Sequence, residues 1–127
     1  MQNSEDRDRL SRWRQDLSQL TEELQRLLPV FLDRRPLVKG SVYELRRKCG
    51  KPSCACARGA PHVSPVLSRS EAGRTRLRSI PPERLAALRE LTARYRSVRR
   101  ARARWVKIAA EMLAAIDRLE QARRQEP

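Results

Sequence analysis

The sequence predicts an α+β protein that is mainly α: a long helical hairpin, coiled-coil-like, with a small three-stranded β module inserted between its helices. Two long segments carry an apolar stripe at heptad spacing. The segment between them is the richest in Gly, Pro, Ser and Cys, and is therefore the least helical. We divide the chain into an amphipathic helix over 1–33, a β module over 34–80 and a long helix over 81–127, within one structural domain.

The first segment predicts one amphipathic helix. Ser4 is suited to cap its start, and the acidic Glu5 and Asp6 are favourable in the first turn. Pro29 is expected to kink or end the helix near the last heptad. The apolar stripe repeats at alternating spacings of three and four: Leu10, Trp13, Leu17, Leu20, Leu24, Leu27 and Phe31.

The last segment predicts a single helix from about residue 82 to about residue 122. Its stripe keeps the same alternation, through Leu88, Leu91, Tyr95, Val98, Arg102, Trp105, Ala109, Met112, Ile116 and Leu119. Only Arg102 breaks the apolar run, and it is expected either to reach Glu22 or Glu23 across an antiparallel hairpin or to mark the point where the seam opens. Dimerisation through this longer seam is the alternative.

The middle segment predicts three short strands. Ser41–Lys48 indicates the first strand, and Val63–Ser70 and Arg74–Ile80 indicate a hairpin that turns at residues 71–73. A sheet of this size buries too little apolar surface to offset its chain entropy. It therefore needs a staple or a helix to lie on.

Four metal-ligating residues lie within the module, at Cys49, Cys54, Cys56 and His62, in the pattern C-x4-C-x-C-x5-H. Cys and His are preferred zinc ligands, and four protein donors leave no open coordination position. The pattern predicts a structural zinc and hence a zinc-knuckle module. Two alternatives stay open. The thiols are reduced and His62 is incidental, or they are redox-sensitive, because cationic neighbours favour the thiolate. The C-x-C pair also requires a bend that Ala55 does not impose.

The charge of the chain indicates a polyanionic partner. The chain has 29 basic and 15 acidic residues, a net charge of +14, and the middle segment alone has 12 basic and 2 acidic residues. Of the basic residues 25 are Arg, whose planar fork suits bidentate phosphate contacts. The candidate nucleic-acid contacts are Arg46, Arg47, Lys48, Lys51, Arg58, Arg74, Arg76, Arg78, Arg96, Arg99, Arg100 and Arg104.

Two arginine patterns carry this interpretation. Arg74, Arg76 and Arg78 alternate along one strand, which places them on one face about 7 Å apart, comparable to the phosphate spacing of a nucleic-acid strand. The alternative is an edge strand charged against aggregation. From Arg94 to Lys107 the long helix has seven cations and no acid, and either an acidic partner or the first helix is expected to relieve their repulsion.

Two stretches and one further residue carry a family resemblance. They are Lys-Gly-Ser-Val-Tyr-Glu at 39–44, Arg-Lys-Cys-Gly-Lys-Pro-Ser-Cys-Ala-Cys-Ala-Arg-Gly at 47–59, and His62. Together they resemble a bacterial family of short proteins associated with transposase-bearing mobile elements, over residues 39 to about 100. The resemblance implies a zinc knuckle and a nucleic-acid role. That family continues after its histidine with Gly-Pro and tyrosines, whereas Val63 and Ser64 follow here, so we expect phosphate contacts rather than base stacking.

We therefore expect a zinc-stabilised nucleic-acid-binding protein that contacts mainly phosphates, of DNA rather than RNA, as an accessory to a transposase or mobile element. The alternative is a coiled-coil protein–protein interaction module that homodimerises or binds a transposase. No catalytic constellation indicates an enzyme or a small-molecule substrate. No apolar run indicates a membrane span, and the polar start is unlike a secretory signal. We expect a bacterial cytoplasmic protein, associated with the nucleoid.

Overall fold

The computed structural model describes residues 4–48 and 50–127, with the side chain of Cys56 left out. The elements run in the order α1 (Ser4–Leu32), β1 (Ser41–Arg47), a 3-10 turn (Ala55–Arg58), β2 (His62–Glu71), β3 (Arg74–Ser79), a second 3-10 turn (Pro82–Arg84) and α2 (Leu85–Arg123). The protein is thus mainly helical, with two long helices and one small antiparallel sheet, which confirms the coarse fold prediction.

The chain divides into two compact units. The helical unit consists of the residues up to Arg34 together with Val98–Pro127, and the sheet unit consists of Arg35–Ser97. The helix α2 contributes its first part to the sheet unit and the rest to the helical unit. In the described residues neither helix contains an apolar stretch that could cross a bilayer.

The helix α1 buries the stripe that its heptad pattern predicts. Leu10 is buried, and the other six stripe residues are half-buried. The helix continues through Pro29 to Leu32, so the proline does not end it. A proline in the final turn removes only one backbone hydrogen bond, which the flanking apolar residues Val30 and Phe31 offset by their partial burial.

Beyond Val98, the predicted seam of α2 is confirmed at Trp105, Ala109, Met112 and Leu119, which are half-buried, and is wrong at Arg102 and Ile116. The residues that turn inward after Val98 are Ala101, Trp105, Ile108, Met112, Ala115 and Leu119. Ile108 is fully buried, whereas Arg102 and Ile116 are exposed. Both registers share the same large residues, so the sequence pattern fits either. The observed one leaves the Arg102 guanidinium in water, and the small Ala101 and Ala115 allow close approach.

Within the helical unit, side chains of α1 lie against side chains of α2 at several places. Phe31 packs edge-on against Trp105, with ring centroids 5.5 Å apart. Glu23 accepts two hydrogen bonds from Arg104, at 2.6 Å from Nε and 2.9 Å from Nη2. Farther along, Leu20 lines a surface groove with Ala115. The cation that reaches α1 is therefore Arg104, and the expectation that Arg102 does so is wrong.

The sheet has the strand order β1-β2-β3, with β2 in the centre. Ser41 pairs with Ser68 across β1 and β2, and Glu71 pairs with Arg74 across β2 and β3. Ala72 and Gly73 form the turn of the β2–β3 hairpin with positive φ angles of 51° and 79°. Two successive left-handed residues match the twist of the flanking strands, which makes glycine favourable in this turn.

The core of the sheet unit forms around the centre of β2. Val66 and Leu67 are 3% and 7% exposed, although neighbouring side chains of a strand point to opposite faces, so both faces are covered there. Ile80 is buried after β3, and its N–H donates to the Pro65 carbonyl. Thr92 of α2 is buried with its hydroxyl bonded to the Leu88 carbonyl.

The segment before β1 is fixed by backbone contacts within the same unit. Val38 N–H donates to the Leu91 carbonyl of α2, and Arg94 Nη1 donates to the Pro36 carbonyl. Gly40 follows, with a φ of 152°. A Cβ atom at this glycine would lie 2.8 Å from the Ser68 carbonyl oxygen, so the close approach of the two chains requires glycine here.

Candidate nucleic-acid interface and metal centre

Two of the four predicted zinc ligands lie side by side at one end of the sheet. Cys54 ends the turn that starts at Lys51, and His62 is the first residue of β2. Cys54 Sγ lies 3.1 Å from His62 Nε2. Tetrahedral zinc bound at about 2.3 Å by sulfur and about 2.0 Å by nitrogen holds the two donors about 3.5 Å apart. The observed pair fits a shared ion after a shift of a few tenths of an ångström.

The remaining two predicted ligands lie outside the described parts of the chain: Cys49 as a residue, and Cys56 in its side chain. The backbone around the C-x-C pair is described, and it is not an extended strand. Residues Ala55–Arg58 form a 3-10 turn, in which Ala57 N–H donates to the Cys54 carbonyl. The main chain thus bends immediately after Cys54, contrary to our expectation that Ala55 imposes no bend.

The Cys54–His62 pair can carry two kinds of chemistry. A thiolate and a neutral imidazole are the ligand forms that zinc requires. Without a metal, the same distance suits a hydrogen bond between thiol and imidazole, which activates a thiol for oxidation or alkylation. Cys54 is half-buried and His62 is exposed, so reagents reach the pair from solvent.

Four arginines share one face of the β2–β3 hairpin, and we call this surface the arginine face. Pairing places Arg69 opposite Arg76, Leu67 opposite Arg78, and Glu71 opposite Arg74. Residues directly opposite each other point to the same side of a sheet. Arg69, Arg74, Arg76 and Arg78 therefore line one side, with Arg76 and Arg78 more than 60% exposed.

Glu71 is the one carboxylate on the arginine face. Its oxygens lie 3.4 Å from Arg76 Nε, 3.8 Å from Arg69 Nε and 3.8 Å from Arg78 Nη2. Exposed ion pairs at these distances contribute little to stability. A single carboxylate among four guanidinium groups leaves a net charge of +3 on this side of the hairpin. The sequence pattern found the three arginines of β3, but not Arg69 or Glu71, because these join the set only through the register of β2.

The other basic candidates of the sheet unit lie at the end of β1 and on the loop that contains Cys54. Arg46 and Arg47 end β1, and pairing places Arg47 opposite His62. Successive residues of a strand face opposite sides, so Arg46 and the exposed Glu44 share the side of the arginine face and Arg47 does not. Lys48, Lys51 and Arg58 follow on the loop, and all five basic side chains are exposed.

The candidates on α2 divide into exposed and paired cations. Arg96 of the sheet unit and Arg99 and Arg100 of the helical unit are exposed. Arg104 is engaged with Glu23 through two hydrogen bonds, which lower the pKa of Glu23 and raise that of Arg104. Two of the Arg104 donors are thereby used within the protein, and we do not include Arg104 in the interface that we propose.

The net charge is distributed unequally between the two units. The sheet unit has 15 basic and 4 acidic residues, whereas the helical unit has 14 basic and 11 acidic residues. The excess positive charge of the chain thus lies mainly in the unit that carries the arginine face.

Comparison with known proteins identifies one matching family. The model of a domain of unknown function, DUF6788, matches residues 8–90, which is most of the chain. The search of curated proteins and the search of solved structures found no match.

Proposed function

We propose that this chain, which belongs to the DUF6788 family, binds nucleic acid through phosphate contacts on a sheet held by zinc. The residues of the chain itself support the proposal. The observation that carries the proposal is the arginine face. Four guanidinium groups share one side of a two-stranded hairpin with a single carboxylate.

This arrangement is unfavourable for the isolated fold. Like charges directly opposite each other destabilise a sheet, and Arg69 lies opposite Arg76. The carboxylate of Glu71 offsets only part of this repulsion, and an arrangement that weakens the fold in this way is typical of a binding surface. Phosphate groups supply the missing charge, and neighbouring arginines of β3 lie about 7 Å apart along the strand. The nearby exposed cations of β1 and of the loop extend the same positive field.

Zinc would serve as a structural ion in this proposal. Cys54 and His62 are two of its ligands, and Cys49 and Cys56 complete the set. The ion would tie the loop that follows β1 to the start of β2, because the three cysteines lie in the sequence between β1 and β2 and His62 begins β2. We also propose that α1 and the second part of α2 form the antiparallel helical hairpin, since Phe31 near the end of α1 packs against Trp105, whereas the earlier Leu20 lines a groove with the later Ala115. DNA is the expected nucleic acid, and a mobile element is the expected context.

The binding experiment measures the affinity for nucleic acid at a series of salt concentrations. Fluorescence anisotropy is the readout, with a labelled DNA duplex and with labelled single strands of DNA and RNA. Each phosphate contact to duplex DNA contributes about −0.9 to the slope of log K against log salt concentration. We expect a slope of about −5 or steeper for the wild type, from six or more contacts. The doubly substituted Arg74→Gln, Arg78→Gln protein should have a slope shallower by about 2.

A matched control removes the same charge from the helical unit. Arg12 and Arg14 of α1 are exposed, and their replacement by Gln should leave the slope nearly unchanged. A wild-type slope shallower than about −2 contradicts the proposed interface. Equal losses from the two double variants would mean that net charge alone drives binding, which would also contradict it.

The zinc experiment measures the metal content of the native protein together with its melting curve. One zinc per chain is expected in the wild type, with loss of the metal and a lower Tm in the Cys54→Ser variant. Ser53→Ala is the neighbouring control and should retain both. If the wild type contains no metal and its thiols react rapidly with iodoacetamide, the zinc proposal is contradicted and the site is a reactive thiol instead.

A further inference from the structure

The helix α2 carries a second apolar stripe whose three large side chains are exposed and whose small Ala109 is half-buried. Val106, Leu113 and Ile116 are 55%, 62% and 44% exposed, and Ala109 lies between them. Their spacings of three and four place them on one line along the helix. This line runs beside the buried stripe, about a quarter of a turn around the helix axis. All of its residues belong to the helical unit.

A charge of opposite sign ends the stripe on each side. Arg102 precedes Val106 by four residues, and Glu120 follows Ile116 by four. Both lie on the same line, so the full pattern is Arg102, Val106, Ala109, Leu113, Ile116 and Glu120. Both charged side chains are exposed, and Glu120 uses Oε1 to accept from Arg124 of its own helix.

This pattern is complementary to itself when it is reversed. If two copies of the stripe meet antiparallel around a two-fold axis, Val106 of one copy lies near Ile116 of the other, and Ala109 lies near Leu113. The same register brings Arg102 beside Glu120 twice, once at each end. A two-fold interface presents the same patch from both subunits, which is the requirement that this sequence meets. A small residue facing a large one also favours close helix packing.

We propose that the stripe from Arg102 to Glu120 is a homodimer interface, occupied by the same stripe of a second copy of this chain in antiparallel orientation. It spans about 27 Å of helix. The near balance of charge in the helical unit, with 14 basic and 11 acidic residues, allows two copies to approach there. The interface differs from the seam of α2 that faces α1. It does not depend on the nucleic-acid proposal.

The test is the molar mass of the full chain measured by sedimentation equilibrium over a series of concentrations. The wild type should sediment as a dimer at the highest concentrations. Leu113→Glu should yield a monomer, because the charge would face an apolar partner. Ala114→Glu is the matched control on the outer side of the same helix, and it should remain dimeric. The helical signal in the far-UV circular dichroism spectrum checks that each variant is folded.

A charge exchange tests the antiparallel register. Arg102→Glu alone should weaken the dimer, because two carboxylates then meet at each end. Adding Glu120→Arg to that variant should restore dimerisation, because the two charges have exchanged places. A monomeric wild type at every concentration overturns the proposal. If the double variant dimerises no more strongly than Arg102→Glu alone, the antiparallel register is overturned. If Leu113→Glu leaves the dimer unaffected, the chains associate through another surface and the proposal is overturned.

Discussion

The carboxylate of Glu71 sets how much of the arginine face is available to a ligand. It lies within 4 Å of three guanidinium groups, and it competes with phosphate for them. Replacing it by Gln keeps the shape of the side chain and removes the charge. We expect Glu71→Gln to bind DNA more tightly at low salt, by about tenfold for one screened charge at the interface. Anisotropy with the labelled duplex measures this.

The control for Glu71→Gln is the same change at Glu83, an exposed acid that precedes α2 in the sheet unit. Both variants gain one unit of positive charge. An equal gain in affinity for both would show that the position of Glu71 on the arginine face has no special effect.

The ion pair between Glu23 and Arg104 predicts a pH dependence of stability. The hydrogen bonds from Arg104 lower the pKa of Glu23 below its ordinary value of 4.5. A lowered pKa in the folded state contributes stability above the ordinary value, and this is lost as the pH falls through the lowered one. The Tm of the wild type should therefore exceed that of Glu23→Gln near neutral pH, and the two should converge in acid. A constant difference across this range would contradict the ion-pair explanation.

At the scale of the helix, Pro29 is the residue of α1 that works against its element. It lies in the last turn and is exposed, so its replacement removes no packing. Pro29→Ala restores a backbone N–H to the helix and should raise the free energy of unfolding by about 1–3 kcal/mol, after allowing for the more flexible unfolded chain. Urea denaturation measures it. Pro82→Ala, at a first-turn position where proline is favourable, should not stabilise the protein.

The sequence predicted elements better than it predicted how elements face each other. The hairpin turn follows from Ala72 and Gly73, and the stripe of α1 follows from its heptads, because these signals are local. The prediction of the α2 seam was partly wrong because two overlapping registers share the same residues, Val98, Trp105, Met112 and Leu119. Only the requirement to keep Arg102 in water, together with packing against α1, distinguishes them.

The candidate site shows the same division between local and long-range information. Cys54 and His62 lie close together, as their spacing in the motif predicts. The membership of Arg69 in the arginine face depends on which residue of β2 pairs with Arg76. Strand register is set by contacts along the whole hairpin, and the alternation of Arg74, Arg76 and Arg78 does not contain it.

At the scale of the whole molecule, the charge distribution predicts that simple salt stabilises the protein. The sheet unit has 15 basic residues against 4 acidic ones, so repulsion outweighs attraction within it. Salt shortens the range of this repulsion to about 10 Å at 0.1 M. The Tm of the free protein should rise as sodium chloride is increased from low to physiological concentration. A fall in Tm would mean that attractive ion pairs dominate the fold.

The placement of Arg102 has a consequence for the fidelity of folding. If α2 turned on its axis so that Ala109 and Ile116 replaced Ile108 and Ala115 against α1, the apolar contacts would be nearly equivalent. The Arg102 guanidinium would then lose its hydration, a cost that an ion pair with Glu22 or Glu23 would not fully offset. That single desolvated cation separates the native arrangement from its rotated competitor. Arg102 therefore disfavours the rotated arrangement of α2, and an apolar residue in its place would bring the two arrangements closer in free energy.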